Sequence, residues 1–141
     1  YLHEYKWNAA QAEFNQVTNG VWLDQTKKFS PCIEEALHLP YLSEKRALLL
    51  STFIPGSGQI YGGRVMDGIT SFAFNASMLY LTIKRAEADD YLGAGLIFNL
   101  GLLRFYHGGR QNALETARKY NEQMNYQMLE KMKVQGLACK Q

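Results

Sequence analysis

The sequence predicts an all-α protein with repeat-like N-terminal helices, a Gly/Pro-rich turn, a membrane-embedded helical hairpin and a C-terminal amphipathic helix. Two observations predict this architecture. Apolar residues recur at three- and four-residue steps near both ends of the chain, which is the spacing of one helix face. Residues 47–107 are apolar and rich in glycine, whereas most charged residues lie in 1–46 and 109–141. We therefore divide the chain into segments 1–46, 47–107 and 108–141.

The first segment begins with an amphipathic helix predicted over residues 1–17, and Gly20 suits a left-handed cap at the end of that helix. The order of its aromatic and alanine residues is similar to the second half of a tetratricopeptide repeat. A single half-repeat is also what one helix packing on its neighbours would show, so both interpretations stay open.

Two further helices are expected before the central segment. The first covers residues 21–30. Pro31 predicts the start of the next helix, because proline is favoured at the first helical position, and Pro40 closes that helix. Ser43 stands just before the apolar run and is expected to cap the helix that begins there.

The central segment has the pattern of a turn followed by a hairpin. A proline-glycine pair at 55–56 interrupts an uncharged run, which predicts a short apolar helix, a tight turn and a new helix start near residue 64. Residues 65–84 predict a helix about 30 Å long, enough to cross a hydrocarbon core. Residues 85–90 form a charged turn, and residues 91–107 predict a partner helix of about 25 Å.

Small and polar residues indicate how the two hairpin helices would pack. Gly93, Gly95 and Gly101 allow helices to approach closely in lipid. Asn75 and Asn99 fall at matching depth if the turn lies near residue 87, so we expect their side chains to hydrogen-bond across the pair. A polar groove for a substrate is the alternative.

The last segment predicts one helix over residues 109–133 with an apolar stripe. We expect this stripe to pack against other helices rather than to hold a cofactor. Its members are Ala113, Ala117, Tyr120, Met124, Met128 and Met132.

The charges at the two ends of the hairpin predict its orientation. The tip, residues 84–90, mixes basic and acidic residues, whereas the other end carries a larger group of lysines and arginines. Basic residues concentrate on the cytoplasmic side of membrane proteins. Both flanks of the hairpin are therefore expected to be cytoplasmic. Arg64 and Asp67 are expected to form a local ion pair, with Arg104 as an alternative partner of Asp67.

The run PGSGQIYGG at residues 55–63, then Asp67-Gly68, then Phe72 and Asn75, resembles a bacterial membrane-protein family with a hairpin similar to the TM2 domain. The later run FYHG at residues 105–108, with Asn121, is similar to the closing signature of that family. Two positions depart from the pattern, because Gly109 stands where asparagine is expected and Asn112 where glycine is expected.

The resemblance implies an integral protein of the bacterial inner membrane. In such proteins the motif often follows tetratricopeptide-like repeats, and it is sometimes joined to a domain like the membrane-protein insertion efficiency factor. The resemblance implies no enzymatic activity and no cofactor. It implies a lipid bilayer and other membrane proteins or client helices as partners.

Several kinds of chemistry are not indicated by the residues. The glycine-rich run lacks the Gly-Lys-Ser/Thr ending of a phosphate loop. The net charge of +2 does not indicate nucleic-acid binding. His3, His38 and His107 are scattered, and the sequence predicts no catalytic or metal-binding residue. Cys32 and Cys139 are far apart and are expected to be unpaired thiols.

Three functional hypotheses follow. The leading one is a non-enzymatic integral membrane accessory protein that assists membrane-protein insertion or assembly. The second is a soluble all-helical protein–protein interaction module, and homo-oligomerisation is open in both. The third is an enzyme or carrier with a pocket at Arg64, Asp67, Tyr106 and His107. The candidate interaction residues are Pro55, Gly56, Gly58, Gln59, Tyr61, Gly63, Arg64, Asp67, Gly68, Asn75, Asn99, Arg104, Tyr106, Gly108 and Asn121.

Overall fold

A computed structural model of the chain describes residues 6–17 and 20–134, and every regular element within these ranges is a helix. The all-α prediction is confirmed. The chain divides into two compact units. Unit 1 comprises the residues up to Tyr41 together with those from Asn121 onward, and unit 2 comprises Leu42–Tyr120. This division differs from the three consecutive segments drawn from the sequence.

Unit 1 contains α1 (Trp7–Gln16), α2 (Val21–Leu37) and the end of the last helix. Its core joins the three through their apolar faces, so the expected packing role of the methionine stripe is confirmed at Met128 and Met132. The core residues are Trp7, Ala10, Cys32, Ile33, Ala36, Met128, Leu129 and Met132.

Two predictions for unit 1 are wrong. Pro31 does not open a new helix but lies inside α2, which runs unbroken to Leu37. Burial of Cys32, Ile33 and Ala36 directly after it offsets the lost backbone hydrogen bond. Gly20 has the expected positive φ of 83°, but it stands at the N-terminus of α2.

The prediction that both cysteines are free thiols is also wrong, because Cys32 is disulfide-bonded. The other predictions that fall on residues 1–5, 18–19 and 135–141, including His3 and Cys139, lie outside the described residues.

Unit 2 begins with α3 (Glu44–Phe53), α4 (Ser57–Tyr61) and the turn between them. The predicted cap of α3 is confirmed, since the Arg46 backbone N–H donates to Ser43 Oγ at 3.3 Å. The short α4 was not predicted from the sequence, where Gly58 and the glycines on either side of the helix indicated only a turn.

The hairpin consists of α5 (Val65–Glu87), α6 (Tyr91–Leu96), a π-helical segment (Ile97–Leu103) and α7 (Arg104–Val134). The predicted charged turn at 85–90 begins too early. Helix α5 continues to Glu87, because basic residues in its last turn favour a helix C-terminus.

The predicted helix boundary near residue 108 is absent, since α7 passes through Gly108 and Gly109 without a break. Within residues 6–17 and 20–134, no helix has both the length and the hydropathy needed to cross a membrane. Helix α5 has 23 residues, but its serines, threonines, Asn75 and Asp67 reduce its mean hydropathy. The predicted crossing by residues 65–84 is therefore not supported.

Candidate interaction surface of unit 2

Glycines of the predicted motif bring the turn into direct contact with α5. Gly56 has a φ of 94°, and a methyl group at this position would overlap the carbonyl oxygen of Gly68. A methyl group at Gly58 would overlap the Ala47 carbonyl oxygen and the Ala113 side chain. These glycines therefore act through close packing, which explains the motif without a ligand.

Gln59 connects three elements of unit 2 through its side-chain amide. It is fully buried, its Oε1 accepts from Ser51 Oγ at 3.1 Å, and its Nε2 donates to the Gly109 carbonyl at 2.9 Å. Ser51 Oγ in turn accepts from the Gly58 backbone N–H at 2.9 Å. Both halves of the buried amide are therefore satisfied, as a buried polar group requires.

The two motif tyrosines also have structural partners. The Tyr61 hydroxyl accepts from the Ser43 backbone N–H at 3.2 Å. The Tyr106 hydroxyl donates to the Thr52 carbonyl at 2.7 Å and so joins α7 to α3. Both side chains are half-buried, and neither needs a substrate to explain its position.

The face that α5 turns toward the rest of unit 2 consists of small or polar residues, with Met78 as the exception. Large apolar side chains lie on the opposite, exposed face, including Val65, Ile69, Phe72, Leu79 and Ile83. This distribution is the reverse of a helix in a water-soluble core. From Gly68 to Thr82, the buried or half-buried positions are Gly68, Ser71, Asn75, Met78 and Thr82.

In the other arm of the hairpin, formed by α6 and the π-helical segment, small residues also make close contacts, although Ile97, Leu102 and Leu103 are half-buried there. Ala94 is buried, and a methyl group at Gly101 would lie 2.9 Å from Met78 Sδ, so small residues form the contact. The outward residues are large, with Leu92 78% exposed and Leu100 65% exposed. Together with exposed residues of α3, such as Phe53 at 83%, they form what we call the apolar outer surface of unit 2.

The two threonine hydroxyl groups of α5 are satisfied within the helix. Thr70 Oγ1 donates to the Met66 carbonyl and Thr82 Oγ1 to the Met78 carbonyl, each at 2.8 Å. Such bonds to the carbonyl four residues earlier leave no unpaired hydroxyl donor at these two positions. The polarity of α5 is therefore less than its composition indicates.

Asn75 is buried between two cavities of unit 2. The first, the polar cleft, has a volume of about 330 Å³ and is lined by Gln59, Arg64, Asp67, Ser71, Asn75 and Asn112, among others. The second, the apolar groove, has a volume of about 340 Å³. It is lined by Asn75 and Ala76 together with Pro55, Phe72, Leu79, Leu102, Leu103 and Tyr106.

The predicted hydrogen bond between Asn75 and Asn99 is absent. Asn75 Nδ2 donates to the Ser71 carbonyl at 2.8 Å, whereas Asn99 is exposed. The rings of Phe74 and Phe105 lie 4.6 Å apart, and this pair sets the register of the hairpin. In that register Asn75 lies opposite the start of α7, whereas Asn99 lies nearer the tip. The turn follows the end of α5 at Glu87, so the assumed turn near residue 87 was placed too early.

The charged residues of the candidate site pair locally. Arg64 Nε and Asp67 Oδ2 form the predicted ion pair at the mouth of the polar cleft, with both side chains partly exposed. Arg104 is exposed, and the structure describes no ion pair between it and Asp67. The predicted alternative partner of Asp67 is therefore wrong.

The remaining candidates do not converge on this site. Gly63 has a φ of 84° but no atom near its missing side chain, and Gly108 is exposed with open space around it. His107 is exposed beside Tyr106, so the four residues of the third hypothesis form no enclosed pocket. Asn121 belongs to unit 1, where it lines a separate cavity.

Several residues of the site were not among the candidate interaction residues chosen from the sequence. Ser51 and Gly62 support the turn, and Ser71, Met78 and Thr82 complete the inward face of α5. The signal for the inward face was present, because these positions alternate at three- and four-residue steps with Gly68 and Asn75. Gly109, one of the two departures from the family pattern, lies close to Ser71, with 3.0 Å between its position for a methyl group and Ser71 Oγ.

Comparison of the chain with protein-family profiles, with curated proteins and with solved structures gave no match.

Proposed function

We propose that unit 2 resides in a lipid bilayer and acts there as a non-enzymatic accessory of other membrane proteins. The observation that carries this proposal is the reversed distribution of α5, whose inward residues are small or polar except Met78 and whose other large apolar residues lie outward. An outer surface of this kind is unfavourable in water but matches hydrocarbon. The resemblance to a family of bacterial inner-membrane proteins agrees with this location.

The dimensions and polar groups of the hairpin support the same location. Between Gly68 and Ile83 helix α5 has no charged residue, and this stretch is about 24 Å long against a hydrocarbon core of about 30 Å. A short apolar stretch is accommodated by local thinning of the bilayer. At the tip, Lys84 pairs with Glu87 at 2.8 Å and Arg85 with Asp90 at 3.1 Å, which suits the headgroup region.

The apolar outer surface of unit 2 and its two cavities support the accessory role. Its inward polar groups are largely satisfied, and its motif residues hold the turn rather than a reactive centre. What remains for function is a broad apolar surface with two cavities that meet at Asn75. A surface of this kind favours binding another helix, such as a segment of a membrane protein during insertion or assembly.

The test is retention in membranes during a carbonate wash, with the full chain and two matched variants. Leu100→Lys places a charge on the apolar outer surface, and the retained fraction should fall severalfold. Gln123→Lys adds the same charge at an exposed polar position and should leave retention unchanged. Photocrosslinks from position 53 to insertion machinery or nascent membrane proteins would support the accessory role.

The second candidate function is a protein–protein interaction module in which another protein covers the apolar outer surface. It is favoured by the absence, within residues 6–17 and 20–134, of a helix suited to crossing a membrane. Release of the wild-type chain by the carbonate wash as a monodisperse protein would contradict the bilayer proposal and favour this module.

A further inference from the structure

Two adjacent basic residues, Lys45 and Arg46, lie in the first turn of α3. Both are exposed, and neither side chain forms an ion pair or a hydrogen bond within the part of the chain that the structure describes. The helix dipole disfavours cations at this end of a helix. The stability of α3 therefore does not explain why two basic residues stand there.

The acidic side chains at the same end of unit 2 are already engaged. Three ion pairs account for them: Glu44 with Arg118 at 3.2 Å, Glu115 with Lys119 at 2.8 Å, and Asp67 with Arg64. Lys45 and Arg46 thus leave two positive charges without compensation on an exposed surface. Such a surface attracts an anion from outside the chain.

The exposed surface of α3 beyond these two residues is apolar. Leu49 and Leu50 are exposed one turn after the basic pair, and Phe53 is exposed a further turn on. Helical side chains lean toward the N-terminus of their helix, so Lys45 and Arg46 lean away from the apolar residues. This order of charge and apolar surface matches an anionic lipid, in which the charged headgroup adjoins the acyl chains.

The length of the hairpin places the basic pair at one surface of a bilayer. Glu44 of α3 pairs with Arg118 of α7. A methyl group at Gly62, just before α5, would overlap Thr116, which lies two positions from Arg118. Helices α3 and α5 therefore begin at nearly the same level along α7. From its start to Lys84, helix α5 rises about 30 Å, which is the thickness of a hydrocarbon core.

A second Lys-Arg pair, Lys84 and Arg85, stands at the other end of that length. Lys84 pairs with Glu87 at 2.8 Å. Arg85 pairs with Asp90 at 3.1 Å. The hairpin thus carries the same basic pair at both ends, but its charges are compensated only at the tip. An anionic headgroup at the tip would have to displace carboxylates, whereas the pair on α3 is open.

We propose that the exposed surface of α3 binds an anionic phospholipid, with Lys45 and Arg46 at the headgroup phosphate and the acyl chains along the apolar residues that follow. A zwitterionic headgroup carries its own positive group beside the phosphate, so two uncompensated cations favour a lipid with net negative charge. This rests on the proposed function, because it requires unit 2 to lie in a bilayer. It adds the class of lipid that one end of the hairpin recognises.

The experiment uses the full chain in phosphatidylcholine vesicles that contain a trace of a photoreactive lipid. Two such probes share the same photoreactive acyl chain, and one has a phosphatidylglycerol headgroup while the other has a phosphatidylcholine headgroup. Mass spectrometry of the cleaved chain measures the crosslink yield of each probe within α3. The chains compared are the wild type, Lys45→Gln/Arg46→Gln and the matched control Lys84→Gln/Arg85→Gln, which removes the same two charges at the tip.

In the wild type, α3 should crosslink to the phosphatidylglycerol probe about ten- to thirtyfold more than to the phosphatidylcholine probe, since each basic residue near an anionic headgroup contributes about fivefold in affinity. Lys84→Gln/Arg85→Gln should keep this preference. Lys45→Gln/Arg46→Gln should lose most of it while keeping its helical circular dichroism.

Three results would overturn the lipid proposal. One is an equal yield of both probes in the wild type. Another is a preference that survives in Lys45→Gln/Arg46→Gln. The third is an equal loss in Lys84→Gln/Arg85→Gln, because the preference would then follow the net charge of the chain rather than the pair on α3.

Retention of the wild-type chain separates this proposal from the one on which it rests. Failure of the chain to stay on the vesicles after a carbonate wash would overturn both. Stable retention with no preference between the two probes would overturn only the lipid proposal and leave the bilayer proposal standing.

Discussion

Gly56 and Gly68 meet so closely that neither could carry a side chain without moving the turn away from α5. A methyl group on Gly56 would overlap the Gly68 carbonyl oxygen, and one on Gly68 would overlap Gly56 and Ile60. The two glycines lie twelve positions apart in the sequence, and their contact fixes where α5 starts relative to α4.

This contact predicts that Gly56→Ala is strongly destabilising. Its positive φ costs alanine about 1–2 kcal/mol, and the overlap with Gly68 adds about 1–3 kcal/mol. Gly63→Ala is the matched control, because Gly63 has a similar φ of 84° but open space around it. Denaturant unfolding of the full chain should show the larger loss in Gly56→Ala. Equal losses would mean that the contact with Gly68 contributes nothing.

Gln59→Leu should lower the free energy of unfolding by about 2–3 kcal/mol. The substitution leaves the buried Ser51 hydroxyl and the Gly109 carbonyl without their partner. Asn112→Leu, a similar change at an exposed position of α7, should alter stability by only about 0.5 kcal/mol. Urea unfolding followed by circular dichroism compares the two variants. Indistinguishable midpoints would contradict the network assigned to Gln59.

Asn75→Leu should stabilise the chain, in contrast to Gln59→Leu. Removal of a buried amide with one unpaired atom should raise the free energy of unfolding by about 1 kcal/mol. Asn99→Leu changes an exposed amide and should stay within about 0.5 kcal/mol of the wild type. Thermal unfolding in one medium for all three chains is the measurement. A destabilised Asn75→Leu would show that the amide holds the hairpin together.

Met128→Ala tests the core of unit 1. Met128 is 4% exposed, so its truncation should cost about 2–5 kcal/mol through lost apolar burial and a cavity. Tyr126→Ala removes a larger side chain that is 56% exposed, and it should cost about 0.5 kcal/mol or less. If both variants unfold at the same denaturant concentration, the methionine stripe does not pack as described.

Alkaline pH should destabilise unit 1 through Tyr41. Burial raises the pKa of Tyr41 more than its hydrogen bond with Trp7 lowers it, so the folded chain keeps the proton to higher pH than the unfolded chain. The resulting stability is complete below the ordinary pKa of about 10 and is lost as the pH rises toward the folded pKa. Urea midpoints measured across this range should fall less in Tyr41→Phe than in the wild type.

The control for this titration is Tyr126→Phe, the same change at a more exposed tyrosine. It should follow the wild-type decline with pH. A decline in Tyr41→Phe as steep as that of the wild type would assign the alkaline effect to other groups.

Local signals in the sequence were sufficient for the helical class, for the Ser43 cap and for the inward methionines of α7. Each depends on residues within one or two turns of helix. The predicted break at Pro31 failed because burial of the next turn outweighs the proline penalty. The predicted break at Gly108 failed for a related reason, since Gly109 packs beside Ser71 and accepts from Gln59.

Whether Asn75 pairs with Asn99 could not be predicted from any local pattern. It depended on the register of two helices, which the Phe74–Phe105 contact and the late turn determine. It also depended on which face of the helix carries Asn99. This residue lies in a π-helical segment that residue preferences did not predict. The sequence singled out the glycine motif, and the three-dimensional contacts show which groups Gly56 and Gly58 pack against.

The π-helical segment from Ile97 to Leu103 accommodates one residue more than an α-helix of the same length would hold. Deleting one residue from it would let the hairpin helix run as a regular α-helix into α7. Because the wider π turns absorb the extra residue, the side chains of α6 would keep their present faces. Ala94 would therefore stay in contact with α5, and Leu92 would stay exposed. The π-helical segment should thus tolerate the loss of one residue, whereas a one-residue deletion within the regular turns of α6 should rotate the residues before it by about 100° about the helix axis.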